Sequence, residues 1–373
     1  MPSPVIVAIP ARDEAEEIAP CLLSLAAQQG GRVDAAVLCL NNCTDDTAAI
    51  VRGLSLPFAL HAIEVELPPA AACAGVARRI AMDRAAAVAG ERGALLTTDA
   101  DARVPPDWVA ANLAALRQGA EAVAGQAAIE PVGATLIPAH LHAADAAECD
   151  YAALLDEIGA LLDPDPADPW PRHDEHAGAS IAVTPAAYRR AGGIPPVPLA
   201  EDRAFFAALR RVDARIRHAR DVRVVVSART VGRAAGGMAD TMRRRMVAAD
   251  AFLDERLEPV RDAARRASLR AWLRRLWSAE TRSPGASSLL AMRLSLPREE
   301  LATLLATRYF GEAWAEVEAC SAMLRRRHRV PVVDRPAQAA LARRLRDGLR
   351  ARAAFRPGAG RSDTLRYAAA GPA

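Results

Sequence analysis

Two carboxylates stand two residues apart in Asp99-Ala100-Asp101, directly after the apolar run Ala94-Leu95-Leu96-Thr97-Thr98. Such a run reads as a buried strand, so the pair falls at a strand end, where both groups can face one ion. Hard cations such as Mg²⁺ or Mn²⁺ prefer oxygen ligands and bridge phosphate oxygens. An ion held there would neutralise charge growing on a departing diphosphate. An Asp-x-Asp triplet alone is common in surface turns; its position after a strand gives it weight. A second acidic pair, Glu201-Asp202, opens a helix after a Gly/Pro-rich loop. It could supply a general base for a hydroxyl proton, or simply place charge at a helix N-terminus. Arg229 and Arg233 follow the run Val222 to Val226 and are interspersed with Gly232, Gly236 and Gly237. Guanidinium forks match phosphate oxygens, and glycines let backbone approach an anion. His173 and His176 flank Asp174-Glu175, and His218 precedes the last run. Each offers a third metal ligand, an acceptor contact or a structural ring.

Three further strands must hold these groups. Val5 to Ile9 is β-branched and closed by Pro10; Ala36 to Leu40 follows, and Phe58 to Leu67 alternates. Helical periodicity runs between them over Asp13 to Gln29, Thr47 to Arg52 and Ala71 to Ala89. Alternating strands and helices predict an α/β fold, a mostly parallel sheet with helices on both faces. Ligands of such sheets bind beyond the carboxyl ends of the strands. Arg12-Asp13-Glu14, the polar loop Asn41 to Asp46 and Asp99 to Asp101 all lie at such ends and should converge on one rim. Later elements are a strand at Ala122 to Ile129, a helix at His140 to Leu162 and a Pro/Asp-rich loop at 163–171. A short strand at Ser180 to Val183 leads to a helix capped by Thr184 with Pro185 in its first turn. Glu201 to Arg211 is a helix, Val222 to Val226 a strand, and helices run from Gly237 to about residue 355.

The chain has 373 residues, a formal charge of +3, half its residues apolar and a quarter charged. It contains no lysine, a pattern that coding bias explains as well as selection for guanidinium chemistry does. The first 240 residues are acidic overall, and the remainder is rich in Arg. Few aromatics accompany the Arg clusters, Trp272 and Trp277 among them, and single-stranded nucleic acid is not expected as a partner. The six cysteines form no close pair and have no metal-site spacing with His, as suits a reducing cytoplasm. Cys21 and Cys39 fall in apolar runs and are expected to be buried. Neither a secretory leader nor a membrane-spanning run is evident.

Taken in order, these stretches resemble glycosyltransferase family 2, of the GT-A fold. Val5 to Pro10 with Asp13-Glu14 resembles the family's opening strand and its Asn-Glu pair. Asn41-Asn42-Cys43-Thr44-Asp45-Asp46-Thr47 resembles its second loop, and Asp99-Ala100-Asp101 its metal triplet. Gly192-Gly193 followed by Glu201-Asp202 resembles its acceptor-side elements. The likeness covers roughly residues 3–240. It implies transfer of a sugar from a nucleotide diphosphate sugar to a hydroxyl acceptor, with Mg²⁺ or Mn²⁺ as cofactor. It implies that Pro10, Glu14, Asn41 and Asp45 line the nucleotide site. Asp101 would ligate the metal, with Asp99 beside it near the ribose. Asp202 would act as base in an inverting reaction, with Glu201 next to it. Leu40 stands where many members carry a base-reading Asp, and Asn41 replaces a second one. Ser227-Ala228-Arg229 stands where many members carry a metal-ligating His. The metal would then be held more loosely, or Arg229 and Arg233 would do part of its work.

The expected organisation is a GT-A domain over residues 1–240, a helical extension over 241–356 and a flexible tail over 357–373. The expected location is cytoplasmic, with the basic helices available for peripheral membrane contact. Two other readings fit the same residues. One is a nucleotidyltransferase-like enzyme that releases pyrophosphate, and the other a catalytically silent nucleotide-binding scaffold.

Overall fold

The computed structural model describes residues 3–229, 232, 237–325 and 328–354. Eight strands form one sheet: β1 (Val5–Ala11), β2 (Ala35–Asn41), β3 (Ala59–Val65), β4 (Ala94–Thr97), β5 (Ala102–Arg103), β6 (Ala122–Ile129), β7 (Ile181–Val183) and β8 (Ile216–Val226). Their order is β3-β2-β1-β4-β7-β6-β8-β5. The pairs β1/β2, β2/β3, β1/β4 and β6/β8 are parallel, and β7 and β5 run antiparallel to their neighbours. The expected mostly parallel sheet is therefore present. The chain moves outward from β1 to β2 and β3, then returns to β4 on the other side of β1. That reversal opens a crevice at the carboxyl ends of β1 and β4, the place where such sheets take ligands.

The helices that follow these strands are α1 (Ile18–Ala26), α2 (Thr47–Gly53), α3 (Ala74–Ala89), α4 (Trp108–Arg117), α5 (Pro131–Ala134), α6 (Ala139–Leu162), α7 (Pro185–Arg190) and α8 (Glu201–Arg211). Alternate residues of the central strands feed two cores. Val7, Ile9, Leu38, Leu40 and Leu96 pack with Ile18, Leu22 and Trp108 on one face. Ile6, Ala8, Val37, Cys39 and Leu95 pack with Met82, Phe205 and Phe206 on the other. A strand buried on both faces needs apolar residues at every position, which is why these runs do not alternate with polar ones.

The structure departs from the sequence reading in detail. Pro10 lies inside β1 rather than closing it, and Asn41 is the last residue of β2 rather than part of the loop. The first helix begins at Ile18, not Asp13, because Asp13 has φ 51° and Glu14 makes a turn. The last strand begins at Ile216, so His218 is inside it. The two-residue β5, paired with β8, was not expected. Cys21 and Cys39 are buried, and the six cysteines are all free.

Among the described residues, seven α-helices follow: α9 (Met238–Val247), α10 (Val260–Trp277), α11 (Pro284–Leu294), α12 (Arg298–Leu304), α13 (Phe310–Cys320), α14 (Ala322–Arg325) and α15 (Arg335–Ala354). One core joins α10 to α14, and another packs α10 and α15 on α6. Much of their arginine is used in protein contacts. Arg266 joins Glu258 to Glu318, and Asp163 takes Arg270 and Arg274. No described helix is long and apolar enough to cross a membrane. The tail from residue 357 lies outside the described residues.

Docking of α13 on α8 is close. Asp213 accepts the N–H groups of Phe310 and Gly311 at 2.6 and 2.7 Å, capping α13. A Cβ on Gly311 would lie 1.6 Å from the Arg210 carbonyl oxygen, which is backbone and cannot swing aside. Gly311→Ala should therefore cost about 1–3 kcal/mol through overpacking. Urea unfolding would measure it, and an unchanged midpoint would contradict this docking.

Candidate active site

The loops after β1, β2 and β4 and the end of β8 meet at one rim. The Glu14 N–H donates to Thr47 Oγ1 at 2.8 Å. Asp45 accepts from Thr47 N and Oγ1 at 3.0 and 2.5 Å and from the Ala15 N–H at 3.0 Å, so it ties the first loop to the second. Asp13 binds the loop at Thr44 in the same way. Thus Asp45, expected to touch the nucleotide, has both oxygens engaged in holding the loops together. Asn41 is buried beside them, and its Oδ1 has no hydrogen-bond partner among the described residues. A buried amide oxygen without a donor is costly, and a ligand that donates to it would remove the cost.

Across the crevice, Arg229 makes a two-pronged bond to buried Glu14, both contacts at 2.6 Å. The same guanidinium lies 3.1 Å from Asp101 Oδ2. Burial, then Asp99, pushes the Asp101 carboxyl up to about 6, against the opposing pull of Arg229. Arg233, the other predicted phosphate contact, lies outside the described residues.

A second guanidinium holds the other half of the site. Arg78, on α3, is 3% exposed. It donates to Asp99 Oδ1 at 2.6 Å, Glu201 Oε1 at 3.2 Å, Thr97 Oγ1 at 2.9 Å and the Gly178 carbonyl at 2.9 Å. Burial alone would favour loss of its proton, but Asp99 and Glu201 hold it charged. Arg78 therefore joins the first acidic pair to the second. Asp202 lies next to it and accepts from the Gly178 and Arg203 N–H groups at 3.0 and 2.7 Å. Burial, then Glu201, raises the Asp202 carboxyl above the usual carboxylate range. Sequence reasoning missed Arg78 because Arg79 beside it has the same composition signal, and only burial separates the two.

Asp13, Asn42 and Ala200 have φ of 51°, 52° and 57°. A non-glycine residue in the left-handed region costs about 1 kcal/mol or more. The three precede Glu14, follow Asn41 and precede Glu201, so the strain lies where the chain turns into the site.

The predicted histidines are elsewhere. His218 Nδ1 pairs with Asp168 at 2.7 Å and its Nε2 lies 3.1 Å from His176 Nε2. His176 stacks on Phe206, and His173 bonds the Ala124 carbonyl. Burial pushes His173 down to about 4 and His176 further still. These contacts are with one another, Asp168, Phe206 and the Ala124 carbonyl, and among the described residues no three His, Cys, Asp or Glu side chains could hold a metal alone.

Charge nevertheless favours a cation. Among the described residues, Glu14 and Asp101 share the guanidinium of Arg229, Asp99 and Glu201 share that of Arg78, and Asp202 adds a further carboxylate beside Glu201. Mg²⁺ is commonly held by one or two carboxylates, with phosphate oxygens and water completing the shell. Asp101 and Asp99 fit that donor set. Arg78→Met should leave Asp99 and Glu201 without their buried counter-charge and cost about 3–5 kcal/mol. Chemical unfolding of the variant would show it, whereas wild-type stability would mean that Arg78 is dispensable.

Structural comparison finds partial likenesses. S. aureus TarS 1-349 in complex with UDP-GlcNAc matches with TM-score 0.44 and 15% identity, covering 93% of this chain and 92% of that one. A mannosyltransferase from Pyrobaculum calidifontis in complex with GDP-Man and Mn²⁺ matches with TM-score 0.39 and 18% identity, covering 94% and 86%. Glucosyl-3-phosphoglycerate synthase from Mycobacterium tuberculosis in complex with Mn²⁺, UDP and phosphoglyceric acid matches with TM-score 0.35 and 19% identity, covering 66% and 76%. No curated protein matches the sequence significantly. Residues 6–157, which include β1, the second loop and the Asp99–Asp101 triplet, match the profile of glycosyl transferase family 2. That stretch is less than half of the chain, and its likeness to glycosyl transferase family 2 supports a glycosyltransferase.

Proposed function

We propose that the chain transfers a sugar from a nucleotide diphosphate sugar to a hydroxyl acceptor, with inversion and with Mg²⁺ or Mn²⁺. The observation that carries the reading is the linkage Glu14–Arg229–Asp101 beside Asp99–Arg78–Glu201, which gathers the ends of β1, β4 and β8 and the α8 start around carboxylates that outnumber their guanidinium partners. Residues 1–240 would form the transferase domain and 241–356 a helical extension. Pro10, Glu14, Asn41 and Asp45 would line the nucleotide, with the unpartnered Asn41 Oδ1 accepting from it. Asp101 and Asp99 would hold the cation, which when bound neutralises the leaving diphosphate. Arg229 would turn a donor fork toward the same phosphates.

Asp202 would take the proton of the acceptor hydroxyl. That oxygen bonds to the anomeric carbon as the bond from carbon to the diphosphate oxygen breaks. Its two backbone bonds, from Gly178 and Arg203, fix the carboxylate and leave lone pairs for the proton. The raised affinity of Asp202 for protons makes it a stronger base than an exposed carboxylate.

Donor breakdown with UDP- and GDP-sugars tests the reading: a nucleoside diphosphate should appear, and release of pyrophosphate would favour nucleotidyl transfer instead. Asp202→Asn should lower turnover by about 10²–10⁴-fold with nucleotide affinity retained. Loss of nucleotide binding in that variant would assign the residue to the donor. Because Asp101 holds its proton up to about 6, turnover should fall as pH drops through that value. The sign follows from protonation, which removes the charge that attracts the cation. A rate independent of pH between 5 and 8 would contradict it.

A further inference from the structure

We propose that Arg229 is a built-in counter-ion that competes with the divalent cation for Asp101, so that the nucleotide-free site resists metal. The inference rests on the transfer reading above, in which Asp101 is the principal metal ligand. Three distances carry it. Both prongs of the Arg229 fork lie 2.6 Å from Glu14, and one of the same nitrogens lies 3.1 Å from Asp101 Oδ2. The guanidinium is thus set against the carboxylate that a cation must reach. A guanidinium and a divalent ion a few ångströms apart repel, and the sheet rim between them is poorly screened. Glu14 is buried and cannot turn to water, so it anchors the arginine in that position. Ser227 and Ala228 precede Arg229 at the end of β8 and offer no carboxylate or imidazole to draw the ion elsewhere.

The consequence is an order of loading. Without diphosphate, Arg229 satisfies Glu14 and Asp101, and an entering cation must displace it from Asp101. A diphosphate offers the guanidinium a second set of anionic oxygens, so that Arg229, still held by Glu14, can turn from Asp101 onto the phosphates and free Asp101 for the ion. Metal and nucleotide then assist each other through one side chain, because each binds better once the other has relieved its conflict.

The experiment titrates Mn²⁺ alone into the nucleotide-free full chain and reads free Mn²⁺ by electron paramagnetic resonance. Arg229→Gln should tighten Mn²⁺ binding by about tenfold, as one like charge beside the ligand is removed. Arg229→Lys keeps the charge and should stay near the wild-type affinity; thermal melts confirm that both variants fold. Unchanged or weaker Mn²⁺ binding in Arg229→Gln would overturn the proposal. So would equal tightening in Arg229→Lys, which would trace the effect to lost geometry rather than charge. If the wild-type chain still releases a nucleoside diphosphate from a donor in either case, the competition falls and the transfer reading stands.

Discussion

Five acidic side chains at one sheet rim cannot be brought together without counter-charge, and the rest of the site follows from how that charge is supplied. Arg78 supplies it from below, buried in α3, with carboxylates on two sides and neutral oxygens on the others. Charge buried at that depth is tolerated only when every donor has a partner. The partners come from β4, from the strand-end Asp99, from the loop at Gly178 and from α8. One guanidinium therefore links Asp99 of the first acidic pair to Glu201, the neighbour of Asp202, in the second. It does so without facing the ligand.

Arg229 supplies the second positive charge from above, and it differs in kind. It is about a quarter exposed, and it bridges two loops instead of being enclosed by them. A side chain of that sort can change partners at modest cost, which a buried one cannot. The site thus combines a fixed cation with a transferable one. Strained backbone at Asp13, Asn42 and Ala200 lies beside both groups, where the packed strands on either side can hold it in place. The C-terminal helices reach this assembly indirectly: Asp213, just beyond α8, caps α13, and Asp163, at the end of α6, binds α10.

The strands of the first half were legible because burial on both faces demands continuous apolar runs, as in Val5 to Ile9 and Ala94 to Thr98. The rim was legible too, since Glu14, Asp45 and Asp101 each follow such a run. What the runs could not reveal was partnership. Glu14, Asp101 and Arg229 were each expected at the nucleotide or its metal, but their mutual contact joins residues 215 apart in sequence for Glu14 and Arg229, and no local pattern encodes that. Asp45 was read as a ligand contact, and its second task, tying the first two loops together, was not read. The start of β8 was missed because Arg217, His218 and Arg220-Asp221 break the apolar run; Arg217 and His218 bond to Asp168, and Arg220 and Asp221 are exposed at an irregularity against β6. Arg78 was hidden by the similarity of its neighbour.

The central claim is that surplus negative charge at this rim exists to receive a cation together with a diphosphate. Calorimetric titration of the full chain with UDP and with GDP, in the presence and absence of Mn²⁺, tests it most directly. The account predicts that at least one of the two nucleotides binds, and that Mn²⁺ tightens it clearly. Equal affinities with and without the ion, or no binding of either nucleotide under both conditions, would contradict it.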